Sequence, residues 1–203
     1  MPKKQDYLKR ICLGLYNSGN HNKPSDKVFI EANFYSVIAD MYRALGGKLD
    51  EAPLNIGKYD IDCKDFIIEF DEENHFNRYR LKTLSSPIYK NWCNFIVADY
   101  QQYCTKHEDK CRSYGNFWHT NSSDKQYGIS SPCGVLDDIG SSRWTQRAFY
   151  DFVKDIYSIV INTPIIRISI YDIYHAQTIL SLIQQEREAE LMQYIKNLSL
   201  IHI

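Results

Sequence analysis

The chain has 203 residues, 44% of them hydrophobic, which suits one α/β domain or a core that carries one large insertion. Its 24 basic and 25 acidic side chains give a net charge of -1, so any phosphate-binding surface must be local. No apolar run reaches the roughly 20 residues that span a bilayer, and the polar, basic start is unlike a signal peptide. We therefore expect a cytoplasmic protein with no membrane partner.

The first half of the chain shows two clear periodic patterns. A short amphipathic segment at 7–15 and a polar loop at 17–26 come first. Apolar residues then recur at the spacing of one helical face over 27–45 and stop at two glycines, which predicts a single helix. Over 56–71 the period changes to two, which predicts a half-buried β-hairpin.

The second half begins with a stretch, residues 85–140, that shows no sustained period. We interpret it as a cysteine-rich insertion within a single domain spanning 1–203. Periodicity returns in a helix over 144–160, a buried strand over 165–171 and a last helix over 176–197. This order predicts an α/β fold with a mixed central sheet flanked by helices.

The predicted hairpin contains the acidic residues that are candidates for binding a metal. A turn at Lys64 and Asp65 would place Asp60 directly opposite Glu69 on the neighbouring antiparallel strand. Side chains alternate along a strand, so one face would carry Asp60, Asp62, Glu69 and Asp71. Neighbouring like charges call for a cation, and oxygen ligands suit Mg²⁺ or Mn²⁺. The alternative is an ordinary solvent-facing strand, since such strands often carry acidic residues.

The same segment resembles a known family. Tyr59-Asp60 and the run from Phe66 to Phe76, with its apolar-apolar-Glu-x-Asp pattern followed closely by a histidine, look like the core of the PD-(D/E)XK nuclease superfamily. The most similar branch contains the very-short-patch-repair-like and restriction-endonuclease-like enzymes. The resemblance covers 27–84 and 141–175. It implies a restriction-endonuclease-like core, an acidic residue on the leading helix at Glu31, and metal ligands at Asp60, Glu69 and Asp71.

The resemblance also implies an activity. We expect a Mg²⁺- or Mn²⁺-dependent endodeoxyribonuclease of restriction or repair type that hydrolyses phosphodiester bonds in double-stranded DNA. Asp71 stands where the superfamily has its lysine, so activation of water is left to His75 or Lys82; a histidine that caps a turn is the plainer interpretation of His75. The competing hypothesis is a non-catalytic nucleic-acid-binding or regulatory subunit. A homodimer would suit two-fold symmetric DNA sites.

Candidate DNA contacts follow the motif and return on the later helix. They are four arginines, which could bind phosphates, and one glutamine, which could read a base edge: Arg78, Arg80, Arg143, Arg147 and Gln146. The alternative is that the arginines are ordinary helix charges that pair with nearby Asp151 and Asp155.

The insertion offers two further hypotheses. Without an export signal, six cysteines favour free thiols or a metal site over disulfides. Four of them could bind a structural Zn²⁺, with independent buried thiols as the alternative: Cys93, Cys104, Cys111 and Cys133. Aromatic side chains there could stack on bases and recognise the target: Tyr114, Phe117, Trp118 and His119.

Overall fold

The computed structural model describes residues 4–21, 26–90, 95–112 and 117–202, and the fold is mixed α/β. The helices are α1 Lys4–Leu15, α2 Asp26–Glu31, α3 Tyr35–Ala44, α4 Arg78–Leu84, α5 Val97–Arg112, α6 Asn121–Tyr127, α7 Ser142–Val160, α8 Ile179–Gln184 and α9 Glu188–His202. The strands are β1 Ile61–Asp62, β2 Ile67–Asp71, β3 Ile165–Ser169, β4 Ile173–Tyr174 and β5 Gln177–Thr178. Short 3-10 segments lie at Glu73–His75 and Pro87–Lys90. Within the described ranges, no helix is long and apolar enough to cross a membrane.

The chain divides into two compact units, each assembled from segments that are distant in sequence. The sheet unit takes in the described residues of 1–23, 58–72 and 161–203 and holds all five strands. The helical unit takes in the described residues of 24–57 and 73–160 and holds α2 to α7. The predicted insertion at 85–140 lies within the helical unit, which begins earlier in the chain and ends later.

The sheet unit is organised around a three-stranded sheet with the order β1, β2, β3. Strand β1 pairs with β2 antiparallel, with Ile61 opposite Ile68 and Asp62 opposite Ile67, so the predicted hairpin register is confirmed. Strand β3 pairs with β2 in parallel. Every residue of β2 and β3 is buried, which is typical of strands in a parallel pair covered on both faces.

The helical unit is built around α7, which contacts α2, α3, α4 and α6. The aromatic and aliphatic residues of α7 form the buried stripe that the sequence periodicity predicts, and this stripe includes Trp144, Phe149, Phe152 and Ile156. The predicted helix at 144–160 and the predicted strand at 165–171 are thus confirmed as α7 and β3.

Two predicted helices are shorter than expected because left-handed residues interrupt them. The helix predicted over 27–45 is two helices, α2 and α3, with Asn33 between them at φ 60°. The helix predicted over 176–197 begins instead with the β4–β5 hairpin and is then divided into α8 and α9, with Glu186 at φ 53°. A left-handed residue cannot continue a right-handed helix, and the apolar pattern carries no sign of it.

The stretch 85–140, whose sequence shows no sustained period, contains α5 and α6. Helix α5 buries only a narrow set of side chains, Tyr100, Cys104 and Cys111, so its apolar stripe is too thin to register as a periodic pattern. Helix α6 is short and polar, and a capping box formed by Thr120 and Ser123 starts it.

Candidate functional site

The predicted pair of carboxylates lies where β1 pairs with β2: Asp60 directly precedes β1, and Glu69 projects from one face of the sheet. The β1–β2 register places Asp60 opposite Glu69, and the backbone amide of Asp60 donates to Glu69 Oε1 at 3.4 Å. The Asp60 carboxylate accepts from the Phe70 amide and from the Gln5 side-chain amide, both at 2.9 Å. Glu69 is 2% exposed. Local hydrogen bonds therefore fix the two carboxylates as cross-strand neighbours.

Arg167 brings a positive charge to the same face. It lies opposite Glu69 in the parallel register, and its Nη1 donates to both Asp71 carboxylate oxygens at 2.9 Å. The Arg167 side chain is completely buried. We expected a metal to balance the carboxylates, and here the chain itself supplies one cation. A lone arginine in the apolar strand of residues 165–169 is the signal that could have revealed this, because a buried charge needs a partner.

Asp62, the fourth carboxylate predicted for this face, binds the loop that follows α1. Its carboxylate accepts from the His21 amide at 2.8 Å and lies 2.5 Å from His21 Nδ1. Its carbonyl accepts from the Gly19 amide at 2.9 Å. A Cβ at position 19 would lie only 2.2 Å from Asp62 Oδ1, so the close approach requires glycine. Asp62 therefore fastens a loop.

His75, the predicted proton-accepting residue, lies in the helical unit. Its Nδ1 is 2.8 Å from Asp151 Oδ2 on α7. The Asp151 side chain is 4% exposed and the His75 side chain 20% exposed. A buried carboxylate of this kind fixes the orientation of the imidazole. The sequence identified Asp151 only as a partner for arginines, because nothing local connects it to a residue 76 positions earlier.

The prediction that Arg80 contacts DNA is wrong, because this residue is 1% exposed and cannot reach DNA. Its Nη2 donates to Asp155 Oδ2 at 2.9 Å, and its Nη1 donates to the Tyr89 hydroxyl at 3.2 Å. In the sequence, the basic residues Arg78, Arg80 and Lys82 occupy alternate positions. In the helix α4, however, position 80 turns away from positions 78 and 82, which are exposed.

The prediction that Gln146 contacts DNA is also wrong. It is 3% exposed, and its side-chain amide donates to Gln126 at 3.0 Å and to Ser122 at 3.3 Å, so it cannot read a base edge. Arg78 is half exposed and is bound through two nitrogens to the carboxylate of Glu108. Arg143 and Arg147 are partly exposed on α7, and their contact with DNA stays a prediction.

The cysteines of the predicted zinc site differ in their surroundings. Cys93 lies outside the described residues, Cys104 is buried and Cys133 is exposed. The Cys111 thiol donates to the carbonyls of Glu73 at 2.7 Å and Phe76 at 2.9 Å. Burial raises the pKa of Cys111 to about 12, which favours the neutral thiol, whereas zinc binds the thiolate. These contacts favour the buried-thiol alternative, and zinc binding stays a prediction.

The aromatic residues predicted to stack on bases are also divided. Trp118 is 3% exposed, and its Nε1 donates to the Ser131 carbonyl at 2.7 Å. The prediction that Trp118 stacks on bases is therefore wrong. It packs edge-on against Trp144, with ring centroids 4.9 Å apart, in the cluster that contains Cys111. Phe117 and His119 are exposed, and Tyr114 lies outside the described residues.

The chain belongs to the family of unknown function DUF7255, whose model matches residues 40–186. The matched range contains the carboxylate hairpin, the His75 and Asp151 pair, and Arg167. Neither a curated protein nor a solved structure matches the chain.

Proposed function

We propose that the chain is a Mg²⁺- or Mn²⁺-dependent endodeoxyribonuclease that acts on double-stranded DNA, with Asp60 and Glu69 as its metal ligands. The hairpin register carries the proposal, since it brings two carboxylates together on neighbouring strands. The parallel return of β3 beside β2 is a further point of agreement with the restriction-endonuclease-like core that the motif implies.

The two side chains suit a hard divalent cation because they offer carboxylate oxygens alone. Gln5 and the Phe70 amide hold Asp60 in place by donating hydrogen bonds to its carboxylate. Bound there, the cation would supply an activated water and neutralise charge on the phosphate oxygens. The protein's contribution is to fix both ligands on a rigid sheet before the cation arrives.

Asp71 has a different role in this proposal from the one the motif implies. Arg167 binds both of its oxygens, so we assign Asp71 as the residue that positions Arg167 beside Glu69. The guanidinium reduces repulsion among the carboxylates. His75 as the proton acceptor stays a separate prediction, and the pH dependence of cleavage by a His75→Asn variant would test it.

The decisive variant is Glu69→Gln, which keeps the side chain's shape but removes one unit of charge. We expect nicking of supercoiled plasmid in Mg²⁺ or Mn²⁺, absent in EDTA, to be lost together with metal affinity. Melting without metal should change little, because one repelling carboxylate is neutralised. DNA affinity measured in Ca²⁺ should persist or increase.

The matched control is Glu72→Gln. Glu72 directly follows β2, and its side chain is 42% exposed and paired with Lys4, so its neutralisation should leave cleavage intact. A Glu69→Gln protein that cleaves at the wild-type rate would exclude Glu69 as a ligand. Wild-type protein that binds DNA but never cleaves it would replace the nuclease with the non-catalytic binding subunit.

A further inference from the structure

The helical unit contains a pocket of about 410 Å³ beside the C-terminal end of α3 and one side of α4. Small-molecule sites span roughly 300–1,000 Å³, so this pocket is large enough for a ligand. Its lining combines three basic side chains with aromatic and hydroxyl-bearing ones: Lys48, Arg78, Lys82, Tyr79, Tyr127 and Thr145. One carboxylate, Asp138, also lines it.

A buried hydroxyl gives an independent indication of a ligand. Tyr127 is 2% exposed, and its ring packs edge-on against Tyr42 at a centroid distance of 5.4 Å. Among the residues that the structure describes, its hydroxyl finds no hydrogen-bond partner. Buried polar groups almost always have one, so a partner from outside the chain, such as a water or a ligand, is expected at this hydroxyl.

The charges at the pocket are not equivalent. Glu108 binds Arg78 and offsets its charge. Lys82 donates to the Ala44 carbonyl at the end of α3, and Lys48 is exposed. The two lysines are therefore the side chains best able to bind an anion, while the partly exposed Tyr79 provides aromatic surface on which a planar group can stack.

We propose that this pocket binds a phosphate monoester joined to a planar ring, the chemistry of a nucleoside monophosphate. Lys48 and Lys82 contact the phosphate, the ring lies against Tyr79, and the Tyr127 hydroxyl forms a hydrogen bond with the ligand. The inference does not depend on the proposed nuclease activity, because it uses no residue of the carboxylate face of the sheet.

Calorimetric titration of the full chain with AMP, GMP, ribose phosphate, adenosine and inorganic phosphate tests the proposal. At least one of the two nucleotides should bind at least about tenfold more tightly than inorganic phosphate or adenosine, and its affinity should fall as salt is added. The double variant Lys48→Met/Lys82→Met should weaken that nucleotide at least about tenfold. Lys125→Met, which removes an exposed lysine of α6 outside the pocket lining, is the matched control.

Tyr127→Phe separates binding from folding. It removes only the buried hydroxyl, so the free protein should melt at the same or a higher temperature while nucleotide affinity falls. Failure of both nucleotides to bind, or equal affinity in the wild type and the double lysine variant, would overturn the proposal. Inorganic phosphate that binds as tightly as the nucleotides would overturn the assignment of the ring.

Discussion

Each unit of the chain contains a buried arginine paired with a carboxylate, and the two pairs are built differently. In the sheet unit, one nitrogen of Arg167 binds both oxygens of Asp71, and the two side chains are 0% and 2% exposed. In the helical unit, Arg80 divides its nitrogens among the carboxylate of Asp155, the hydroxyl of Tyr89 and that of Thr83. Asp155 is 10% exposed.

The two pairs differ in how the secondary structure positions the arginine beside its carboxylate. The parallel pairing of β2 and β3 places Arg167 opposite Glu69, two residues from Asp71 on the same face, and one nitrogen of Arg167 donates to both carboxylate oxygens of Asp71. In the helical unit, Asp155 also accepts from the Tyr89 hydroxyl at 2.7 Å. Asp71 is also the more deeply buried of the two carboxylates, so we expect the sheet pair to be the more sensitive of the two to loss of its arginine.

The largest effect should come from Arg167→Met. Removing one partner of a buried ion pair leaves a poorly compensated charge, and we expect the free energy of unfolding to fall by about 3–5 kcal/mol. Urea denaturation measures the loss. If the single variant does not fold, Arg167→Met/Asp71→Leu should, because it removes both charges together. A single variant as stable as the wild type would show that Asp71 does not depend on Arg167.

Arg80→Met should be less damaging, with a loss of about 3 kcal/mol, the lower end of the range for a broken buried pair. The reason is that Asp155 keeps the hydrogen bond from Tyr89 and is closer to solvent. The matched variant Tyr89→Phe removes that bond and leaves the arginine. Combining the two substitutions should cost more than the sum of the single losses, because the tyrosine partly compensates for the arginine. A loss for Arg80→Met that exceeds the loss for Arg167→Met would reverse the comparison.

The sequence predicts the pairing of residues within the hairpin, but it does not predict the partner of either buried arginine. Strand alternation and a short turn are local, so they determine that Asp60 faces Glu69. The partners of Arg80 and Arg167 are 75 and 96 positions away, and the pattern contains no information about them. Basic residues at alternate positions, as at 78, 80 and 82, share one surface in a strand but not in a helix. The prediction that Arg80 contacts DNA fails because this segment is the helix α4.

Backbone conformation accounts for other differences. Asn33 and Glu186 adopt left-handed conformations that divide two helices, and neither residue is a glycine that would mark the break.

Trp118 and Gln146 have side chains typical of recognition surfaces, yet both are buried with hydrogen bonds from their polar groups. Residue type identified the chemistry at these positions, whereas tertiary packing determined its exposure.

A third arginine and carboxylate pair, partly open to solvent, should give the smallest effect. Arg78 binds Glu108 through Nε and Nη2, both at 2.9 Å, and its side chain is 49% exposed. Burial alone would raise the pKa of Glu108, but the hydrogen bonds and charge of Arg78 outweigh it and hold that pKa below its ordinary value. Solvent screening limits the stability gained to about 0.5–1 kcal/mol.

The sign of the pH dependence follows from that depressed pKa. The pair contributes its full stability above the ordinary glutamate pKa of about 4.3, and the contribution disappears as pH falls through the lower folded-state pKa. Glu108→Gln should therefore be less stable than the wild type at neutral pH, and the difference should vanish in acid. Urea midpoints of both proteins measured from neutral pH down to the acid range test this, with Asp109→Asn, an exposed neighbour on α5, as the control. A difference that stays constant throughout would show that Glu108 acts through packing, because packing does not titrate.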